Sequence, residues 1–186
     1  TGYQGHGSVA HPHGILITWG IMMEGGIQVN VEGKRFSNEH EGYSEQAVKV
    51  LAQPEQVAFN IFDERLLEIG REFEDFRNAE TARAIISADS IEELSEKLNL
   101  PFQNISETFE YCADQAEKKA PDKFGRVFSL EKLLTPPFFA VKVTGTLFHT
   151  QGGLAIDQKA RVVKNDGSVI KGLFACGGAV CGVSGP

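Results

Sequence analysis

Leu147-Phe148-His149-Thr150-Gln151-Gly152-Gly153 sets a titratable imidazole just before a pair of glycines, and the chain continues through Gly172-Leu173-Phe174-Ala175-Cys176-Gly177-Gly178. Without a Cβ at the glycines the backbone can turn sharply and a ligand can approach closely. An imidazole titrates near neutral pH and serves as acid, base or hydrogen-bond partner. The residues alone leave two readings open, a ligand site or a hairpin approach whose histidine only packs.

Composition narrows the class. The 186 residues are long enough for an ordinary hydrophobic core. A net charge of −7, with Lys and Arg scattered rather than striped, makes nucleic acid and anionic membrane poor partners. No apolar run approaches the roughly twenty residues that span a bilayer. Cys112, Cys176 and Cys181 form no CxxC pair, so neither a zinc site nor a disulfide framework is expected, and the implied setting is a reducing cytoplasm. His6, His11 and His13 lack the helical spacing and nearby carboxylates of a metal site, and no metal is expected.

Further motifs lie upstream. Residues 16–30 read as a short helix closed by Gly25-Gly26, followed by a hairpin turning at Glu32-Gly33. A helix is predicted over 44–51, a buried strand over 56–62 ended by Asp63, and an amphipathic helix or helix-turn over 64–80. Ser90-x-x-Glu93 and Asn104-x-x-Glu107 each predict a capped helix start. Pro136-Pro137 ends the helical region before the strand Phe138-Phe139-Ala140-Val141-Lys142-Val143.

Several strings together resemble the fumarate reductase/succinate dehydrogenase flavoprotein family. They are His149-Thr-x-Gly-Gly; Asp157, Ala160 and Val162; Asn165-Asp166-Gly167; Glu24-Gly25-Gly26 with Asn30, Gly33, Arg35, Phe36 and Glu39; and Asp122-x-Phe124-Gly125-Arg126. The resemblance implies an α+β capping domain over residues 19–135, flanked by partial segments of an FAD-binding α/β domain at 1–18 and 136–186. It implies an FAD-dependent oxidoreductase that moves a hydride between flavin and a small organic substrate. His149, Tyr43 and Arg126 would then be the catalytic candidates. Thr150, Gly152, Gly153, Gly177, Gly178, Ser184 and Gly185 would line the cofactor. His11-Pro12 matches a His-Pro segment lining the family's cleft. No Gly-x-Gly-x-x-Gly follows a strand, and both ends of the chain read as cut, so the nucleotide-binding half is expected elsewhere.

The departures bear on substrate. Aligned on Thr18 and Gly25-Gly26, the family's carboxylate-binding Glu falls on Trp19 and a neighbouring Arg on Met22. Aligned on Gly33, its proton-donating Arg falls on Tyr43. Arginine grips a carboxylate through a planar fork, which tryptophan and tyrosine lack. A dicarboxylate is therefore not the expected substrate, Trp19 and Met22 are expected to wall an apolar cleft, and Tyr43 becomes the acid/base candidate. Two other readings stay open: a catalytically inert lid or interaction domain, and a non-redox binding module on a flavoprotein scaffold.

Overall fold

The structure is a computed structural model that describes residues 2–181, with the backbone alone described at 2–3 and 149–151. It divides into two compact units, one of residues 6–146 and one of residues 2–5 with 147–181.

The larger unit is built on strand β4 (Val57–Asp63), every residue of which is buried. Alternate side chains of a strand face opposite ways. Ala58 and Phe62 accordingly join one hydrophobic cluster with Ile17, Met22, Val50, Leu66, Phe76 and Val141. Phe59 and Ile61 join a second with Val29, Leu94, Leu98, Ile105, Cys112 and Ala140. Burial on both faces explains why this segment reads as one continuous apolar run. β4 pairs antiparallel with β3 (Ile27–Val29) on one side and β6 (Phe138–Gln151) on the other. The sheet order is β2–β1–β6–β4–β3, with β1 (Gly2–Ala10), β2 (Ile15–Leu16), and β5 (Ile85–Ala88) pairing β6 off that path.

Helices cover both faces. On the first lie α1 (Gly20–Met23), α2 (Tyr43–Leu51), α3 (Glu64–Arg71) and α4 (Glu74–Thr81). On the second lie α5 (Ile91–Leu98) and α6 (Phe102–Lys118). Asp63 ends β4 and caps α3 by accepting from Leu66 N at 3.2 Å, and Ser90 caps α5 by accepting from Glu93 N at 3.1 Å.

The Asn104 cap is corrected. α6 starts after Pro101, and the Asn104 side chain instead donates to the Glu32 carbonyl at 2.8 Å. The predicted hairpin at Glu32-Gly33 is reduced to a tight turn, Gly33 N to Asn30 O at 2.9 Å, with one bridge between Val29 and Arg35.

In the smaller unit β7 (Arg161–Val163) and β8 (Val169–Phe174) form an antiparallel pair. Its family-like residues are turn chemistry. Asp157 accepts from Lys159 N and Arg161 N, and Asp166 accepts from Ser168 N.

Candidate active site

Two glycines bring α2 onto the sheet. A Cβ at Gly7 would lie 2.7 Å from the Gln46 backbone carbon, and one at Gly145 would lie 2.5 Å from the Ala47 carbonyl oxygen. Only bare backbone at those positions of β1 and β6 lets the helix sit so close. Tyr43, one turn before Gln46, then falls over His6, the residue before Gly7. The two rings stack with centroids 4.7 Å apart and planes 17° from parallel. The Trp19 indole meets the same imidazole edge-on at 6.1 Å.

His6 is buried, and its Nδ1 accepts from Ser8 N at 3.2 Å. Burial lowers its pKa to about 4, so the ring is neutral at physiological pH with its proton assigned to Nε2. The resemblance singles out His11, in its His-Pro segment, rather than His6, and His13 is its neighbour in the same stretch. His11 and His13 both lie exposed in the turn between β1 and β2. The available signal was that His6 stands inside a strand, ahead of the residue that lets a helix approach.

Next to this cluster is a buried ion network. Glu39 is fully buried and accepts from Arg35 Nε at 2.8 Å and Nη2 at 2.7 Å, and from Gln28 N at 3.0 Å; Arg126 Nη1 lies 2.9 Å from its carboxylate. Arg35 Nη1 also reaches Asp122 at 2.7 Å. Burial pushes the Glu39 carboxyl up, but hydrogen bonds from Arg35 and the two guanidinium charges hold it at about 2. Arg35 is itself held above its ordinary value by Glu39 and Asp122 against the pull of burial. The Gly-x-Arg-Phe and Asp-x-Phe-Gly-Arg motifs are thus the two halves of one interior cluster, with Phe128 under both guanidiniums at 4.7 and 4.5 Å.

Arg126 is therefore corrected from a cleft residue to an interior one. It is 3 % exposed and committed to Glu39 and to the Gly26 carbonyl at 2.8 Å. Met22 is likewise corrected from cleft wall to core, fully buried and packed on Gly26, where a Cβ would meet its Cε at 2.5 Å. Trp19 is 7 % exposed, with Nε1 donating to the Glu39 carbonyl at 3.1 Å.

The remaining candidates belong to the smaller unit. Ser184 and Gly185, and the side chains of His149 and Thr150, lie outside the described residues. A Cβ at Gly153 would sit 2.3 Å from the Ala179 carbonyl oxygen, so this glycine is required by the neighbouring backbone. At Gly177 and Gly178 a Cβ would meet nothing within 4 Å, leaving open backbone that Leu154 braces through Ala179 and Cys181. Among the described residues no group of three or more His, Cys, Asp or Glu is placed to hold a metal.

Comparison with known proteins now decides the family, because residues 4–186 match the FAD binding domain family. The chain belongs to that family. It is 31% identical over 182 residues to NADH:fumarate oxidoreductase of Klebsiella pneumoniae (strain 342), across 97% of this chain and 19% of that protein. It is 30% identical to 4-oxocyclohexanecarboxylate 2-dehydrogenase of Sinomonas cyclohexanicum, across 90% of this chain and 33% of that protein. The open conformation of a flavocytochrome c3 fumarate reductase superposes with a TM-score of 0.77 at 28% identity, covering 97% of this chain and 32% of that one. The chain thus spans a third or less of each of these relatives. The family's cofactor is FAD. The open backbone at Gly177-Gly178 fits the edge of a ring or phosphate, and Gly152, at φ 112°, adds a backbone conformation that a side chain would oppose.

Proposed function

We propose that these residues belong to an FAD-dependent oxidoreductase acting on a substrate more apolar than a dicarboxylate, such as a ring ketone or an enoate. Residues 19–135 act as its capping domain, and residues 1–18 and 136–186 belong to the flavin domain. The observation that carries the reading is the stack of Tyr43 on His6 with Trp19 at its edge. Three positions that bear charged groups in the resembling flavoproteins bear an indole, a thioether and a phenol here. The similarity to 4-oxocyclohexanecarboxylate 2-dehydrogenase, whose named substrate is a ring ketone bearing a single carboxylate, fits a ring ketone.

FAD, when bound, supplies the hydride acceptor or donor. Tyr43 holds the proton that accompanies the hydride at its phenolic oxygen. A phenol serves more readily as a general acid than as a base unless its surroundings tune it. His6 is a positioning residue that fixes the plane of the Tyr43 ring. Its neutral imidazole adds no positive charge to the cleft, which disfavours a carboxylate and tolerates a ketone. His149 is proposed to contact the substrate from the flavin-domain segment, and Gly152, Gly177 and Gly178 to hold the cofactor through backbone.

The test is Tyr43→Phe in the flavin-loaded enzyme that contains this chain. Turnover of a cyclic ketone should fall by roughly 10²-fold or more with flavin content unchanged. Near-normal turnover would reduce Tyr43 to a packing residue.

A further inference from the structure

On the opposite face of β4 from the helix that carries Tyr43, a cavity of about 80 Å³ opens in the second hydrophobic cluster. Ile27 of β3, Phe109 and Cys112 of α6, Phe128 and the pair Leu133-Leu134 form its wall. Protein interiors pack as densely as organic crystals, so a void among large apolar side chains persists only where they are kept from collapsing into it.

This wall is held from behind. Phe128 lies under the guanidiniums of Arg35 and Arg126 at 4.7 and 4.5 Å, and Phe109 meets Phe138 edge-on at 5.1 Å. Ile27 and Cys112 are fixed by the backbone of a strand and a helix. Leu133 follows a single tight turn in which Lys132 N donates to Ser129 O at 3.0 Å. That turn lies hard against Gly25: a Cβ there would sit 2.7 Å from the Lys132 carbonyl oxygen, and a φ of 130° is one that side chains oppose. The glycine thus sets the distance at which Leu133 and Leu134 stand from α6.

The chemistry of the wall decides what fits. Of its described residues, Cys112 and Lys132 are those with polar side chains. Burial pushes the Cys112 thiol up to about 11, so at neutral pH it is uncharged and at most a weak donor. The Lys132 ammonium is half-exposed at the rim and is held by Glu24 at 2.8 Å. A charged guest would give up its hydration without gaining a partner, whereas an apolar guest gains dispersion contacts with two phenyl rings and the Ile27, Leu133 and Leu134 side chains. An apolar cavity of about 150 Å³ accommodates benzene. At about 80 Å³ this one is too small for a six-membered ring. We propose that it binds a small uncharged apolar molecule, the size of a xenon atom or a chain of about three carbons, at a site separate from Tyr43 and the flavin.

Crystals of the flavin-loaded enzyme that contains this chain, pressurised with xenon, test this by anomalous scattering. A xenon peak is expected within about 4–4.5 Å of the Phe109 and Phe128 rings and the Leu133 side chain. Ala113, next to Cys112 on α6, presents only a methyl group to the same cavity, so Ala113→Leu should fill it and abolish the peak. Leu133→Ala, at a half-buried position, enlarges the cavity instead and should admit benzene, which the parent excludes. Absence of the xenon peak in the parent, an ordered water that stays hydrogen-bonded in the cavity under xenon, or a peak that survives in Ala113→Leu would each overturn the proposal.

Discussion

The Trp19 indole donates to the backbone carbonyl of Glu39 at 3.1 Å, so the ring that meets His6 edge-on hangs from the residue at the centre of the ion cluster. The carboxylate of that residue holds Arg35 and Arg126, while its carbonyl fixes the wall of the candidate site. Packing interior and site therefore share one residue.

Glu39→Gln should be among the most damaging single substitutions. It leaves Arg35 and Arg126 buried with Asp122 as the one remaining carboxylate of the cluster. Breaking a buried ion pair from one side costs about 3–5 kcal/mol. Urea unfolding should show a midpoint lowered accordingly with an unchanged slope, and the Trp19 fluorescence should shift as its anchor loosens. A midpoint within error of the parent would mean that the cluster contributes no net stability.

His6 gives the fold a defined acid sensitivity. Its folded pKa, about 4, lies below the ordinary value of 6.5. Between those values the unfolded chain binds a proton that the folded chain does not, so stability rises with pH across that window and is lost as pH falls through it. The contribution is on the order of 3 kcal/mol at most. Glu39, depressed from 4.5 to about 2, has its stabilising contribution in full above its unfolded value and loses it as pH falls toward 2, so its loss begins where that of His6 ends. His6→Gln should flatten the stability profile between pH 6.5 and 4 and leave the lower limb in place. A parent profile that is flat over that interval would show that the imidazole is not held neutral by burial.

Much of this was legible in residue pattern, and the exceptions share a cause. The strand at 57–63 and the Ser90 cap follow from local rules, a buried apolar run and an oxygen placed three residues before a Glu. Asn104 obeys the same local rule, yet its partner is the Glu32 carbonyl, remote in sequence. β5 is only four residues long, too short for alternation to declare itself. Arg126 reads as a catalytic candidate by resemblance until its carboxylate partner Glu39, contributed by a separate motif, is placed beside it. His6 becomes notable only because Gly7 and Gly145 admit α2, and no periodicity in β1 announces that contact.

Flavin content offers a direct check on how much of the cofactor site these residues supply. No Gly-x-Gly-x-x-Gly follows a strand within them, and backbone at Gly152 and Gly177-Gly178 offers few contacts. The isolated 186-residue chain should purify colourless and show no flavin absorbance after incubation with FAD and desalting. A yellow protein with stoichiometric FAD would mean that these contacts suffice alone.

On the proposed substrate reading, fumarate turnover should separate the enzyme that contains this chain from relatives named as fumarate reductases. Met22 is wholly within the core, and Trp19 turns its only donor to the Glu39 carbonyl. Neither side chain can therefore grip a carboxylate, and Tyr43 brings a neutral phenol in place of a guanidinium. Loss of one buried charge-assisted contact costs about 2 kcal/mol, roughly thirtyfold in rate. Several losses acting on the same substrate need not add in full, yet even partial addition places fumarate reduction about 10³-fold or more below that of a dicarboxylate enzyme. Steady-state oxidation of a reduced viologen by the flavin-loaded enzyme, with fumarate and a cyclohexenone compared side by side, measures the difference. Tyr43→Arg should recover little of the fumarate rate, because the carboxylate anchors at Trp19 and Met22 remain absent. A fumarate rate comparable to the cyclohexenone rate would show that the dicarboxylate is held by groups outside these residues, and the substrate reading drawn from His6, Trp19 and Tyr43 would fall.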